Sequence, residues 1–207
     1  MGVRTALRRT LASQLGNPRG LMGKAVAKRL NKFNLAATTG AVEALAVVDG
    51  EVVADLGFGG GVGLRLLLDT NAAEVHGVDY SASMVDRARG EFADDRLRLH
   101  TGSITALPLP DDSVDGLITL NTIYFIEDLT TAFAEIRRIL RPGGRAVIGI
   151  GDPEAMAKMP VTRHGFLVRP VAEVVETLEG AGLALTAHRR VSESKLAPHL
   201  LVVGHAN

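Results

Sequence analysis

Three glycines at alternate positions, Gly57, Gly59 and Gly61, follow an aspartate, Asp55, at the end of the apolar run Glu51-Val52-Val53-Ala54. Glycine permits positive φ and lets a ligand approach the backbone closely. The following Leu64-Arg65-Leu66-Leu67-Leu68 predicts a helix whose first N–H groups point at the loop. The stretch reads as strand, tight loop and helix, and it suits a nucleotide or amino-acid cofactor. A dinucleotide fingerprint needs G-x-G-x-x-G. Counted from Gly57 its third glycine is replaced by Val62, and counted from Gly59 by Leu64. A phosphate-binding P-loop ends in Gly-Lys-Ser/Thr, and no lysine stands here. A ligand-free turn in a doubly wound sheet is the bland alternative.

A second acid answers the first. Glu74-Val75-His76-Gly77-Val78-Asp79 predicts a strand ending in Asp79, one helix and one strand after the glycine loop. In doubly wound folds an acid at this place takes ribose hydroxyls. The competing duty is a helix N-cap, for which Ser81 is the rival. Tyr80 offers a flat side chain to lie against an adenine, and the helix from Ser81 to Gly90 carries Met84 and Ala88 on one face. Asn121 and Tyr124 follow the apolar run Gly116-Leu117-Ile118-Thr119-Leu120, at the strand end where such sheets bind ligands.

These groups need a framework, and the pattern supplies one. Apolar runs at 51–56, 74–79, 96–100, 116–120 and 145–150 alternate with helical patterns, as expected of a parallel α/β sheet. Helices are expected from 127 to 140 and from Pro170 to Glu179. Leu183–Val191 and His199–Gly204 read as two final strands, an antiparallel pair at one edge. Residues 151–169 have no clean period and read as a specificity wall. Ahead of the first strand, helices are expected at about 3–15, 21–33 and 36–47. We divide the chain into a helical arm or lid, 1–48, and a cofactor-binding domain, 49–207.

Composition narrows the classes. The 207 residues are 46% hydrophobic and include no cysteine, so a disulfide framework, a thiolate zinc site and a cysteine nucleophile are excluded. No apolar run approaches the ~20 residues of a membrane span. The formal net charge is zero, yet the first 42 residues carry +8 from Arg4, Arg8, Arg9, Arg19, Lys24, Lys28, Arg29 and Lys32. The arm either folds back on an acidic domain or meets an acidic lipid or membrane surface, an anionic substrate or nucleic acid. A cytoplasmic protein, monomer or homodimer, is the simplest reading. Nothing has the spacing of a metal site.

The Asp55-x-Gly57-x-Gly59-x-Gly61 run resembles motif I of the class I S-adenosylmethionine (SAM)-dependent methyltransferases. Leu107-Pro108-Leu109-Pro110-Asp111-Asp112-Ser113-Val114-Asp115 is similar to the family's run into the fourth strand, and Leu140-Arg141-Pro142-Gly143-Gly144 to its turn before the fifth. The Gly-Phe-Gly form of motif I and Asn121-Thr122-Ile123-Tyr124-Phe125 look like the small-molecule, type 11 branch of menaquinone- and ubiquinone-methylating enzymes. At the third strand end the family's Gly-Asp is Gly102-Ser103 here, so Ser103 stands where an adenine contact is expected, with Ile104 beside the ring.

The resemblance implies a Rossmann-like, doubly wound, seven-stranded and mostly parallel sheet with an antiparallel last strand, preceded by N-terminal helices. It implies S-adenosyl-L-methionine as cofactor, held by Asp55, Gly57, Gly59, Gly61, Asp79, Tyr80, Met84, Ser103, Ile104 and Asn121. The activity it implies is in-line methyl transfer to a small-molecule acceptor, of quinone-like, phenolic or lipid type. A neutral acceptor needs a general base, for which His164 ranks first, then Tyr124 and Asp128. The rival class is a degenerate methyltransferase fold that binds SAM or a protein partner without chemistry. The missing third glycine speaks against a NAD-linked reductase. A nucleic-acid methyltransferase lacks its Asn/Asp-Pro-Pro-Tyr/Phe tetrapeptide here, and few aromatics are present to stack flipped bases.

Overall fold

The computed structural model describes residues 35–159, 162, 165–194 and 197–206. The helices expected at 3–15 and 21–33, and with them the basic arm, lie outside the described residues.

Helix α1 is described over 35–45. Its Ala41, Ala44 and Leu45 are buried on the sheet at helical spacing. Strand β1 (Val52–Leu56) follows, then α2 (Val62–Leu68), β2 (Glu74–Asp79), α3 (Ala82–Glu91), β3 (Leu97–Thr101) and β4 (Val114–Leu120). A 3₁₀ turn at Ile123–Phe125 leads to α4 (Leu129–Ile139) and β5 (Leu140–Ile150). The chain closes with α5 (Pro153–Ala157), α6 (Val171–Gly180), β6 (Leu183–Arg190) and β7 (His199–His205). Among the described residues of the stretch expected to be irregular is a short helix, α5, opened by Asp152, whose carboxylate accepts the Ala155 N–H at 2.9 Å.

The seven strands lie in the order β3-β2-β1-β4-β5-β7-β6. Pairs β1–β2, β2–β3, β1–β4 and β4–β5 are parallel, and β7 runs antiparallel to both β5 and β6. The final two strands do pair as expected, but β7 is inserted between β5 and β6, so β6 forms the edge. Strand order reverses between β1 and β4. There the strand ends leave a crevice, the place where open α/β sheets bind ligands.

Both sheet faces are covered, which is why the central strands are apolar throughout instead of alternating. Ala54, Leu56, Ile148 and Leu201 face α4 and α6 through Phe133, Ile136, Val174 and Leu178. Val53, Val75, Ile118 and Val147 face α1, α2 and α3 through Leu45, Leu64, Leu67 and Val85. Arg145 ties α1 to the sheet: it forms a two-pronged pair with Glu51, both contacts at 2.8 Å, and donates to the Leu45 and Ala46 carbonyls. Residues 35–45 therefore pack as part of the sheet's second core. Arg138 holds the loop before β4 through Glu135, Asp111 and the Leu107 and Leu109 carbonyls. Among the described residues no helix is long and apolar enough to cross a membrane.

Candidate cofactor-binding site

The glycine loop joins β1 to α2 at the crevice. Gly57, Gly59 and Gly61 have φ values of 77°, 47° and 80°, a region that side-chain-bearing residues rarely adopt. Two of them also leave no room for a side chain. A Cβ at Gly57 would stand 2.5 Å from Thr122 Oγ1, and one at Gly61 would stand 3.0 Å from the Phe92 ring. The loop is tied to β2 by the Gly57 N–H, which donates to the Val78 carbonyl at 2.7 Å. Arg87 on α3 donates to the Gly60 carbonyl at 2.8 Å.

Asp79 ends β2 beside this loop. One carboxylate oxygen accepts the Gly59 N–H and the other the Ser81 N–H, both at 2.8 Å. Burial raises its pKa above the usual carboxylate value, against those two hydrogen bonds. Ser81 occupies the N-cap position of α3 without a side-chain cap bond, so the Asp79 carboxylate, not the serine hydroxyl, organises that turn. Asp55 lies deeper, 4% exposed, under the start of α2. Burial pushes its carboxyl up to about 8, the Asp79 charge adds to this, and the Leu64 N–H opposes it. The Asp55 carboxylate fits only because residue 63 is glycine. A methyl there would collide with Asp55 Oδ2 and stand 2.9 Å from its Cγ and from Ile118 Cδ1.

The other expected residues are placed as follows. Tyr80 is 73% exposed, next to Asp79. Met84 packs in the second core and Ile104 in the first, each nearly closed to solvent. The Ser103 hydroxyl lies 2.7 Å from that of Thr105 and accepts the Thr105 N–H at 3.2 Å, in a turn closed by a Ser103–Ala106 bridge. Asn121 has a positive φ of 56° and donates its N–H to the Gly149 carbonyl at 2.8 Å, joining the ends of β4 and β5. Tyr124 is buried. Its hydroxyl accepts the Gly151 N–H and donates to Asn121 Oδ1 at 3.5 Å, and burial pushes its pKa to about 12. Asp128 is spent on the helix. Its carboxylate caps α4 through the Thr131 N–H and hydroxyl, which hold its pKa below the usual value. His164 lies outside the described residues.

Four site residues escape a reading of the sequence by motif. Thr119 is buried within β4 and donates to the Leu56 carbonyl at 2.9 Å, joining β4 to the start of the glycine loop. Thr122 fills the space beside Gly57 and donates to the same carbonyl at 3.3 Å. A threonine inside the apolar run Gly116–Leu120 was a visible signal for the first. Gly63 and Arg87 carry none, because their roles exist only once α2 and α3 meet the loop.

The site suits a cofactor with an adenosine end and a cationic end. Asp79 has carboxylate oxygens at the strand end, the loop lacks side chains where a ligand must approach, and two acids lie beneath it. Among the described residues no group of three or more histidine, aspartate or glutamate side chains is placed to hold a metal.

Comparison with known proteins agrees with this geometry. The family profile described as a methyltransferase domain matches residues 54–148. The methyltransferase in a complex with the Haloferax volcanii Trm112 methyltransferase activator superposes with a TM-score of 0.81 at 23% identity, covering 97% of this chain and 98% of that one. An uncharacterized 37.1 kDa protein in transposon TN4556 of Streptomyces fradiae is 35% identical over 134 residues, 59% of this chain and 39% of that protein. Several curated relatives are thus longer than the region they share with this chain. The uncharacterized methyltransferase YdaC of Bacillus subtilis is 31% identical over 123 residues, which are 59% of this chain and 68% of YdaC. With kinship of that extent on a sheet of this order, the chain belongs to the class I S-adenosylmethionine-dependent methyltransferase family.

Proposed function

We propose that the protein transfers a methyl group from S-adenosylmethionine to a small-molecule acceptor. The observation that carries this reading is the Asp79 carboxylate at the end of β2, fixed to the glycine loop through Gly59 and to α3 through Ser81. Each carboxylate oxygen accepts one N–H and keeps a second lone pair, so ribose hydroxyls can be bound without dismantling the turn. Tyr80 offers an exposed ring beside it. Asp55 and the open backbone of Gly57–Gly61 suit the cofactor's cationic amino-acid end, where an ammonium and the sulfonium both carry positive charge.

When bound, the cofactor supplies a methyl group on a sulfonium, already electrophilic. The protein's task is then alignment and exclusion of water, which supply ~7–11 kcal/mol in well-oriented reactions. Asn121 and Tyr124 follow β4 and join it to the end of β5, Asn121 through the Gly149 carbonyl and Tyr124 through the Gly151 N–H, which fixes the backbone on the acceptor side. With its pKa near 12, Tyr124 serves as a positioning group and not as a base at neutral pH. Phe125, Phe166 and Leu167 continue this side as a partly exposed apolar wall, with the Phe125 and Phe166 rings 4.8 Å apart. That wall suits an acceptor with an apolar or aromatic body.

Calorimetric titration with S-adenosylhomocysteine, with NAD as the parallel control, tests the cofactor. Micromolar binding of the former alone supports the reading. Asp79→Ala should abolish that binding in a protein that remains folded, and unchanged affinity would remove the assignment.

A further inference from the structure

Asp55 and Asp79 are both buried acids, and among the described residues no cation pairs with either. Asp79 comes from β2 and Asp55 from β1, and the strands run side by side in the register Asp55–Gly77. The donors that reach them are backbone N–H groups: Leu64 for Asp55, and Gly59 and Ser81 for Asp79. No described basic side chain pairs with either. The cations on the surrounding elements are engaged elsewhere. Arg87 on α3 holds the Gly60 carbonyl and stands 3.6 Å from Glu91, and Arg65 on α2 pairs with Glu91 at 2.8 Å. Strand β4 presents apolar Ile118 to this place, and its one charged residue, Asp115, pairs with Arg141. Gly63 adds no side chain beside the Asp55 carboxylate.

Two like charges in a dry site do not both ionise unless a countercharge arrives. S-adenosylmethionine bears one net positive charge near neutral pH, and S-adenosylhomocysteine bears none. We propose that Asp55 holds a proton in the cofactor-free protein and releases it when a cationic cofactor fills the glycine loop, so that the site senses the charge lost on methyl transfer. The inference rests on the cofactor reading above. It extends that reading to discrimination: the methyl donor gains affinity as pH rises, while the demethylated product, having no sulfonium charge, gains less. As methyl transfer removes the charge, Asp55 recovers a proton from solvent and the product is held less firmly.

The sign follows from linkage. A group that loses a proton on binding makes affinity rise with pH up to its pKa in the free protein, by up to ~10-fold per pH unit, and level off above it. The test is calorimetry of the whole chain at pH 7.0 with each ligand, in phosphate and in Tris buffer, where the difference in heat counts protons. More than about half a proton should leave per S-adenosylmethionine bound, and less than half that number per S-adenosylhomocysteine. Asp55→Asn, checked for folding by circular dichroism, should remove the difference. Buffer-independent heats for a binding donor, equal release by the two ligands, or undiminished release in folded Asp55→Asn would each overturn the proposal. If that variant does not fold, the wild-type donor affinity between pH 6 and 9 decides. A rise toward a plateau supports the proposal and a flat profile overturns it. Absence of binding by both ligands would instead overturn the cofactor reading itself.

Discussion

The Asp79 carboxylate reaches back twenty residues to accept the Gly59 N–H at 2.8 Å, while its other oxygen holds Ser81 at the same distance. One side chain thus fixes both the apex of the glycine loop and the entry to α3. Asp79→Asn separates this bracing from charge. An amide keeps one carbonyl oxygen for one N–H and turns an NH₂ toward the other, so one buried backbone donor loses its acceptor. We expect a loss of ~1–3 kcal/mol in stability and, beyond it, a fall in S-adenosylhomocysteine affinity measured by calorimetry. A folded variant with wild-type affinity would show that Asp79 braces the loop without touching the ligand.

Gly63 and Gly90 form a matched pair of helical glycines. Gly63 sits in the first turn of α2, where an added methyl meets the Asp55 carboxylate and Ile118. Gly90 sits near the end of α3 with nothing within 4 Å. Gly63→Ala should destabilise by ~1–3 kcal/mol through overpacking and weaken cofactor binding by displacing Asp55. Gly90→Ala should stabilise by ~0.5–1 kcal/mol from helix propensity alone. Urea midpoints of the two variants decide the matter, and a tolerated Gly63→Ala would mean that α2 can shift away from β1.

Much of this was legible in the sequence, for local reasons. Apolar runs of β-branched residues predict β1, β2, β4 and β5, and a glycine that must adopt positive φ announces itself by type. Asp55 and Asp79 are visible because a charge at the end of an apolar strand needs an explanation. What escaped depends on contacts, distant or local, that spacing alone does not choose. Nothing near His199 says that β7 slips between β5 and β6; the Ile150–His199 register decides it. The cap that Asp128 gives α4 appears only through Thr131, three residues on. Nor did spacing show that the Thr105 hydroxyl, two residues on, would meet Ser103 in a local turn. Polar side chains in loops have several nearby partners, and sequence spacing does not rank them.

Tyr124 joins the ends of β4 and β5 through Gly151, and Gly151 leaves little space: a Cβ there would lie 2.9 Å from Met156 Sδ and 3.3 Å from the Tyr124 hydroxyl oxygen. Tyr124→Phe removes the acceptor of the Gly151 N–H and keeps the ring packed near Phe166. The expected loss is ~1–3 kcal/mol in urea denaturation, with cofactor affinity little changed. Because the phenol's pKa is about 12, neither property should show a Tyr124 titration between pH 6 and 9. A Phe variant of wild-type stability would place that contact among the replaceable ones.

The last relationship is a chain of three side chains at the far end of β5. Asp152 Oδ2 lies 3.3 Å from His199 Nε2, and His199 Nδ1 lies 2.8 Å from His188 Nε2. Arg190 stands 3.5 Å from the same aspartate. Asp152 is held ionised by the Ala155 N–H and by His199, so it can only accept, and it sets His199 with its proton on Nε2. Desolvation, with the neighbouring His199 and Arg190, lowers the His188 pKa below 6.5. A base whose pKa is depressed on folding takes its proton more readily in the unfolded chain. As pH falls through 6.5, His188 therefore favours unfolding, whereas Asp152, depressed below 3.8, still stabilises the fold until far lower pH. His188→Gln should lose less stability than wild type between pH 8 and pH 5, read as the shift in urea midpoint. His76 and His100, also depressed by burial, act in both proteins and cancel from the comparison. Equal acid sensitivity in the two proteins would mean that His188 is freely hydrated and that the chain of three ends at His199.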